Sequence, residues 1–245
     1  MILPRRFEFA TSFSGWMRRR LEPELLDAEN VAEADLVRAY RELEALHRWL
    51  GNTHAVLRRL RPRLAESDDR VLRVLDIGCA HGALLAEIRR QFSNRVEVVG
   101  MDLRPAPAQS PVTILTGNVV TDQLPRSDVA VCVVMAHHLS AVEVAALIQN
   151  VARSCDRLIL LDLVRHPVPL ALFRVFVRPW LCRINGLDGE ASIWRAYTAQ
   201  EMRQIVAKAV ALIPRRVGQI RHTVAPFWIR QVVEIDWETP LDEAI

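Results

Sequence analysis

The stretch Val74–Gly82 reads VLDIGCAHG, and it decides the fold of this chain. An apolar run ends at the acidic residue Asp76, and a loop with glycines at positions 78 and 82 follows. Continuous apolar runs are typical of buried parallel strands, and a glycine loop at the end of such a strand lets the backbone approach a ligand closely. Ala80 lies between the two glycines, where loops that hold nucleotide-type cofactors often have a third. The pattern predicts a ligand-binding loop in an α/β sheet.

Five short apolar runs of this kind occur after residue 70, and each predicts a strand that is buried on both faces of a parallel sheet. They are VLRVLD (71–76), RVEVVGMD (95–102), VTIL (112–115), DVAVCVVM (128–135) and RLILLDL (157–163). Helices fit between several of them, and the capping boxes Ser140-x-x-Glu143 and Thr198-x-x-Glu201 predict two helix starts. The segments RRVGQIRHTV and FWIRQVVEI flank an Ala225-Pro226 turn and predict an antiparallel pair. Together these patterns predict a Rossmann-like, seven-stranded, mostly parallel sheet with a C-terminal antiparallel hairpin.

Two segments lie outside this alternation of strands and helices. Residues 1–66 are Arg-rich and then helical in pattern, with a break at Gly51-Asn52, and they predict a helical N-terminal cap. Residues 67–245 then form the ligand-binding domain. Residues 164–197 follow the fifth strand and contain the apolar, aromatic run VPLALFRVFVRPW, which predicts a lid over the site.

The composition narrows the possible partners. The net charge of +3 is too small to indicate a nucleic-acid partner, and the arginine clusters are interleaved with acids. The four cysteines lie far apart without metal-ligand spacing, which predicts reduced thiols in a cytoplasm and no metal site. Charges interrupt the most apolar region, so no transmembrane segment is predicted.

In this order, the motifs resemble those of class I S-adenosylmethionine (SAM)-dependent methyltransferases. The resemblance rests on Asp76–Gly82 after the first strand, on Asp102 at the end of the second and on Gly117-Asn118-Val119 after the third. It implies that the loop backbone lies against the cofactor, that Asp102 binds the ribose hydroxyls and that Asn118 lies near the adenine. The cofactor would be SAM and the product S-adenosylhomocysteine (SAH). The full set of cofactor-binding residues implied is Asp76, Gly78, Cys79, Ala80, Gly82, Asp102, Leu103, Asn118, Val119 and Met135.

Further segments resemble a bacterial subgroup of quinone-biosynthesis and polyketide-tailoring methyltransferases. They are EPELLD (22–27), HRWLGN (47–52), AHHLS (136–140) and DGEASIWRAYTAQEM (188–202). This resemblance implies a small, largely apolar acceptor, such as a phenol, polyketide or quinone precursor, that is methylated on oxygen or carbon.

Two features depart from the family pattern. Ala80 costs about 1–2 kcal/mol if its backbone is left-handed, and its methyl group can crowd the cofactor. Only LRPAPAQSP (103–111) joins the second and third strands, and its three prolines exclude an ordinary crossover helix. One side of the adenine pocket is then open or covered by the cap. A nicotinamide dinucleotide is the competing cofactor, but the loop lacks the G-x-G-x-x-G spacing of a pyrophosphate turn.

His137 and His138 follow the fourth strand, at the rim where an acceptor would lie. A histidine there titrates near neutral pH and is a candidate general base, although the alternative is that one of the pair packs inward. His81 in the loop fits a local role at a helix start. Other residues expected near the acceptor or in the lid are His47, Trp49, Trp194, Arg195 and Tyr197. For Trp49 we favour packing on the domain, and for Arg195 a structural ion pair is an equal alternative.

The sequence thus predicts a SAM-dependent methyltransferase for a small apolar acceptor. Two alternatives stay open: a nucleic-acid methyltransferase, which needs a continuous basic surface, and a SAM-fold binding protein without activity, if Ala80 and the short connection abolish cofactor binding.

Overall fold

The five apolar runs are adjacent parallel strands in the computed structural model, which describes residues 17–22, 24–27, 32–66, 70–106 and 110–238. A C-terminal antiparallel hairpin extends the sheet, so that the strand order is β3-β2-β1-β4-β5-β7-β6. The strands are β1 (Leu72–Ile77), β2 (Val96–Asp102), β3 (Thr113–Thr116), β4 (Ser127–Val133), β5 (Cys155–Asp162), β6 (Val217–Val224) and β7 (Gln231–Trp237). The predicted fold class is confirmed.

Helices cover both faces of this sheet. They are α1 (Glu33–Trp49), α2 (Asn52–Glu66), α3 (Ala83–Phe92), α4 (Ala141–Ser154), α5 (Pro167–Leu172), α6 (Arg183–Arg195) and α7 (Ala199–Ala211). Both predicted capping boxes are present: the Ser140 and Thr198 side chains accept the N–H of the glutamate three positions later, and each glutamate accepts the N–H of its cap residue. Local sequence therefore set the starts of α4 and α7.

The hydrophobic core has two layers, one on each face of the sheet. Helices α4 and α7 pack on one face, and α2 and α3 pack on the other. Leu60 and Val56 of α2 are fully buried in the same cluster as Val74 of β1. Helix α2, which belongs to the predicted cap, therefore contributes directly to the core of the sheet.

The segment 164–197 is helical and packs against the N-terminal segment. Between α5 and α6 it forms a π-helical turn (Phe173–Val177) and a 3₁₀ turn (Arg178–Trp180). A separate small core joins Met17 to Leu170, Phe173 and Ile193. This packing brings residues 17–22 and 24–27 over the carboxyl edge of the sheet.

Two further expectations concern absent elements. Residues 103–106 and 110–112, the described part of the connection between β2 and β3, contain no helix, as predicted. Among the described residues, no helix is both long enough and apolar enough to cross a membrane. Residues 1–16, 23 and 28–31 of the predicted cap lie outside the described residues.

Candidate active site

The loop after β1 follows an unusual backbone path. Gly78, Ala80 and Gly82 all have positive φ angles, of +69°, +48° and +82°. A Cβ atom on Gly78 would lie 2.5 Å from Cγ of Met135, and one on Gly82 would lie 2.4 Å from a methyl group of Val112. Positions 78 and 82 therefore require glycine, both for the backbone conformation and for the lack of space for a side chain.

Ala80 has the left-handed backbone that the family pattern assigns to glycine. An alanine in this region costs about 1–2 kcal/mol relative to its preferred conformations. The Asp102 side chain offsets part of this cost, because its Oδ2 accepts the Ala80 N–H at 2.8 Å. The loop thus has a left-handed backbone at this position although the residue is alanine and not glycine.

Asp102 ends β2 beside this loop. Its Oδ1 accepts the N–H of Arg104 at 3.0 Å, so both carboxylate oxygens are oriented by backbone donors. Ala80 and Asp102 line a common cavity at the carboxyl edge of the parallel strands. Open α/β sheets bind their ligands at this edge.

Asp76 of β1 is buried beneath the loop. Burial, together with the nearby charge of Asp102, raises the pKa of Asp76 to about 8. Burial likewise raises the pKa of the neighbouring Cys79 thiol to about 12, so this thiol is not a nucleophile at neutral pH. The floor of the site is therefore largely uncharged.

We expect Asp76→Asn to stabilise the protein, by an amount that depends on pH. Because the pKa of Asp76 is raised from 3.8 to about 8 on folding, the native state retains a proton that the unfolded chain loses, and stability falls as pH rises through this window. Asparagine cannot ionise and removes this penalty. In the absence of cofactor, the Tm of the variant should exceed that of the wild type at pH 8, with little difference at pH 4. Glu97→Gln, an exposed control on β2, should show no such trend; a pH-independent difference for Asp76→Asn would contradict the assignment.

The cavity that Ala80 and Asp102 line, called the main cavity below, has a volume of about 390 Å³. Its predicted members are Gly78, Ala80, Asp102, Leu103, Asn118, Val119, Met135 and His138. Asp76, Cys79 and His47 line a smaller chamber of about 110 Å³, which shares Gly78, Ala80 and His81 with the main cavity. Gly82 lines neither and instead turns the chain into α3. One rim residue, Val134, has a φ of +53°, which is rare for a β-branched residue, and such strain clusters at functional sites.

Helix α1 and Leu26 cover the side of the cavity next to the connection between β2 and β3, whose described residues contain no helix. The Arg104 guanidinium donates to the Tyr40 hydroxyl of α1 and to the carbonyl of Leu26, both at 3.1 Å. Tyr40, Leu26 and Arg104 all line the main cavity. Of the two expectations for this side, an open pocket or coverage by the cap, the structure shows coverage.

His137 faces inward. Its side chain is 1% exposed, Nδ1 lies 2.7 Å from Oδ1 of Asp162, and the His137 backbone N–H donates to Oδ2 of the same carboxylate. Burial alone lowers the pKa of His137, but the Asp162 and Glu24 carboxylates outweigh it and raise the pKa to about 9. A histidine that is protonated at neutral pH is a poor general base, so the inward-packing alternative fits His137.

His138 lines the main cavity next to Glu24. Nη1 of Arg195 donates to Nδ1 of His138 at 2.7 Å, which makes Nδ1 an acceptor and places the ring proton of a neutral His138 on Nε2. In this tautomer Nε2–H of His138 is a hydrogen-bond donor, and the neutral ring has no free lone pair for a general base.

Glu24 is a polar residue of the site that the sequence did not single out, as are Tyr40 and Arg104. Its Oε1 accepts from the Ser192 hydroxyl at 2.6 Å and lies 3.7 Å from Nε2 of both His137 and His138. Burial raises the pKa of Glu24, but these neighbours outweigh it and lower the pKa to about 2. Glu24 is thus a carboxylate at physiological pH. The available signal was its place in EPELLD, one of the segments that resemble the bacterial subgroup.

Partly buried hydrogen bonds hold the segment that carries Glu24. The Asp188 carboxylate accepts the backbone N–H groups of Leu25 and Leu26 at 2.7 and 2.9 Å. Arg19 donates to the carbonyls of His137, Leu139 and Arg195. The segment therefore forms a fixed wall of the cavity.

Of the remaining predicted residues, Arg195 and Tyr197 form hydrogen bonds with this wall, whereas Trp194 and Trp49 do not line the cavity. Arg195, besides His138, donates to the carbonyl of Glu22 and lies 3.6 Å from Glu24, and Tyr197 donates to the carbonyl of Leu139 at 2.7 Å. Trp194 stacks under the guanidinium of Arg20 and is not a lining residue. The packing expected for Trp49 is wrong: the side chain is 69% exposed at the end of α1, where no described element covers it, and it lines neither cavity.

Solved structures share this fold at low sequence identity. The plantazolicin methyltransferase BamL, crystallised with a triazolic desmethylPZN analog and SAH, has a TM-score of 0.64 and 12% identity, over 84% of this chain and 91% of that chain. Magnesium protoporphyrin IX methyltransferase (ChlM) from Synechocystis PCC 6803, with bound SAH, has a TM-score of 0.50 and 15% identity, over 87% and 91%. The methyltransferase SibL has a TM-score of 0.53 and 15% identity, over 82% and 58%. No curated protein matches the chain in sequence.

The sheet with its C-terminal hairpin, the glycine loop and Asp102 define the class of SAM-dependent methyltransferases. Residues 49–209, about two thirds of the chain, match the family described as "Methyltransferase domain", and the chain belongs to this family. It is a SAM-dependent methyltransferase whose cofactor is SAM.

The strained alanine leads to a second prediction. We expect Ala80→Gly to raise the free energy of unfolding by about 0.5–1 kcal/mol, since glycine relieves the left-handed strain but adds entropy to the unfolded chain. SAM affinity should rise about threefold, because the methyl group of Ala80, which lines the main cavity, no longer crowds the cofactor. Chemical denaturation and calorimetric titration measure the two effects. Ala86→Gly within α3 is the control and should lower stability by about 1 kcal/mol; equal losses in both variants would contradict strain at Ala80.

Proposed function

We propose that this enzyme transfers the methyl group of SAM to a hydroxyl oxygen of a small, largely apolar acceptor. The observation that carries the proposal is the wall of the main cavity, where the Glu24 carboxylate and His138 lie together among apolar side chains. The apolar members are Leu26, Leu103, Val119, Val134, Met135 and Leu139. A pocket of this kind binds an apolar molecule and orients its few polar groups.

Two observations fit an adenosyl cofactor in the adjoining part of the cavity. Gly78 leaves space that a Cβ atom would fill, and the Asp102 carboxylate stands at the end of β2 with backbone donors on both oxygens. We propose the predicted cofactor residues as its binding site, with Asp102 on the ribose hydroxyls and Asn118 near the adenine.

Glu24 and His138 complement each other toward a hydroxyl group. The Glu24 carboxylate accepts the hydroxyl hydrogen bond, and Nε2–H of His138 donates to the same oxygen. When bound, SAM supplies an activated methyl group. As the acceptor oxygen becomes alkylated, its proton becomes far more acidic than a carboxylic acid, and therefore even a carboxylate with a pKa near 2 can take it. Charged His137, behind Glu24, keeps this carboxylate ionised.

Carbon methylation, the second possibility that the sequence left open, has less support. Carbon acceptors that must lose a proton from carbon before methyl transfer need a stronger base than a carboxylate, and in the metal-free site neither histidine has a free lone pair toward the main cavity. A nucleic-acid acceptor also has less support. In the arginine cluster of α2, Arg59 pairs with Glu234 at 3.2 Å and Arg63 with Asp236 at 2.9 Å, so this surface is partly neutralised.

We also propose that the enzyme works in a reducing compartment of the cell. Cys79, Cys132, Cys155 and Cys182 are all free thiols, which supports a reducing compartment such as the cytoplasm. We keep the proposed division into a cap (1–66), a SAM-binding domain (67–245) and a lid (164–197).

Methyl transfer from labelled SAM tests the acceptor class. The purified full chain is incubated with a panel of alkylphenols, catechols, hydroxyquinones, their hydroxyl-blocked analogues and a structured RNA, and the products are identified by mass spectrometry. We expect transfer to hydroxyl oxygen in at least one free phenol or hydroxyquinone and none in its blocked analogue. Transfer to carbon in the blocked analogue, or to RNA alone, would contradict the proposal.

A further inference from the structure

The buried ring of His137 has an unsatisfied nitrogen. Its Nδ1 is held by Asp162, but its Nε2 is buried and has no hydrogen-bond partner among the described residues. Glu24, the nearest carboxylate, lies 3.7 Å from this nitrogen, which is too long for a hydrogen bond. Buried nitrogens without a partner are rare in proteins, and a bound ion can account for one.

A second imidazole nitrogen faces the same point. Nε2 of His138 lies 3.7 Å from the same oxygen of Glu24, and one ligand atom from each of the three residues lies within 4.8 Å of the others. Both histidines come from a single 3₁₀ turn (Ala136–His138) after β4, with ring centroids 4.3 Å apart. Two imidazoles and one carboxylate thus converge on a space of about the size of a metal ion.

We propose that Glu24, His137 and His138 bind a divalent transition-metal ion. Two histidines and one carboxylate on one face of an ion suit Zn²⁺, Co²⁺ or Fe²⁺ and leave coordination positions open. Asp162 completes the arrangement, because metal-binding histidines commonly donate their other N–H to a carboxylate. Metal binding releases the second proton that His137 carries at neutral pH, and the Nδ1–H bond to Asp162 then leaves the lone pair on Nε2. Glu24 lies 113 positions before His137, which explains why ligand spacing in the sequence gave no sign of the site.

The site would act on the acceptor of the proposed function, on which this role rests. Glu24 and His138 line the main cavity, so an ion that they hold would lie within reach of the acceptor. An ion there would take the place of the Nε2–H of His138 as the group that binds the acceptor hydroxyl oxygen, and it would lower the pKa of that hydroxyl. The hydroxyl proton passes to Oε2 of Glu24, and the oxygen that remains is a stronger nucleophile toward the methyl group.

The Arg195 guanidinium opposes metal binding, and its removal is therefore expected to raise the metal affinity. Its Nη1 donates to Nδ1 of His138, whereas coordination through Nε2 places the ring proton on Nδ1. The guanidinium must then leave His138 while it keeps the Glu22 carbonyl and the Glu24 carboxylate. Glutamine at this position removes the positive charge and offers an oxygen to the Nδ1–H. Arg195→Gln should therefore bind metal more tightly than the wild type.

The probe is Co²⁺, whose visible absorption reports nitrogen and oxygen coordination directly. Full-length protein is treated with chelator, dialysed and titrated with Co²⁺. We expect saturable absorption at one ion per chain, binding that is weaker by about tenfold or more in Glu24→Gln and His138→Gln, and tighter binding in Arg195→Gln. Glu22→Gln, an exposed control two positions from Glu24, should match the wild type. A thermal shift with SAM verifies that each variant is folded, and Arg195→Gln keeps the test decisive if a ligand variant does not fold.

Absence of saturable absorption up to about 1 mM Co²⁺, or equal binding by Glu24→Gln and Glu22→Gln, would overturn the metal site. These results are independent of the proposed function. If chelator-treated enzyme methylated a hydroxyl at an undiminished rate and bound no Co²⁺, the metal site would be ruled out and the proposed function would still hold. One Co²⁺ per chain at these residues would support the site even if no tested hydroxyl were methylated.

Discussion

Glu24→Gln is expected to lower kcat for a hydroxyl acceptor by about 100-fold while SAM affinity changes less than about twofold. Glutamine keeps the size of the side chain and its contact with Ser192, but it cannot accept the hydroxyl proton. Because the pKa of Glu24 is about 2, the wild-type carboxylate is ionised throughout the physiological range. Glutamine does not titrate, and therefore no pH change in that range restores the activity of the variant. Steady-state kinetics with the best acceptor of the panel, together with calorimetric titration of SAM, measure the two quantities.

Glu22→Gln is the matched control for this experiment. Glu22 lies in the same segment, its side chain is exposed, and its contribution to the wall is its backbone carbonyl, which the substitution preserves. We expect wild-type kcat for this variant. If Glu24→Gln and Glu22→Gln had the same kcat, Glu24 would have no part in proton removal.

Asp102→Ala is expected to weaken SAM binding by about 100-fold or more. Its carboxylate holds the loop through the Ala80 N–H, and in the proposed site it also accepts hydrogen bonds from the ribose hydroxyls. Hydrogen bonds to a charged group contribute roughly 1.5–3 kcal/mol each, and the loss of two accounts for this factor. Calorimetric titration with SAM measures the change.

Glu97→Ala on the same strand is the control, because Glu97 is exposed and lines neither cavity. It should bind SAM like the wild type. An Asp102→Ala variant that binds SAM within about threefold of this control would show that the cofactor does not contact the end of β2.

The parts of the fold that sequence predicted are those that local chemistry determines. Continuous apolar runs define β1 to β5, and the capping boxes at Ser140 and Thr198 define α4 and α7, because neighbouring residues alone satisfy these patterns. The loop of Gly78 and Gly82 and the placement of Asp102 followed from the same local patterns. The sequence left the backbone conformation of Ala80 open, and the structure shows that it is left-handed.

The wall of the site could not be predicted, because distant segments build it. Glu24 gains its role from Ser192 and the histidines, more than a hundred positions away, and Arg104 closes the cavity by reaching Tyr40 of α1. No periodicity encodes such contacts. The prediction failed for Trp49 for a related reason: an apolar residue on an amphipathic pattern is normally covered, and here no described element covers the end of α1.

The two histidines after β4 show the same limit. Because both histidines follow β4, the sequence predicts that they lie at the carboxyl edge of the sheet. The order of the strands gives no further information about them. Their different roles depend on partners that arrive from other elements, with Asp162 of β5 on His137 and Arg195 of α6 on His138. Sequence located the pair, and only the three-dimensional contacts distinguish its members.

A crystal structure of the full chain with SAH tests the central claim most directly. We expect SAH in the main cavity, with the ribose on Asp102, the loop of Gly78 and Ala80 against the homocysteine moiety, and the sulfur directed toward Glu24 and His138. SAH bound elsewhere, or a main cavity that stays empty at saturating SAH, would contradict the proposed site.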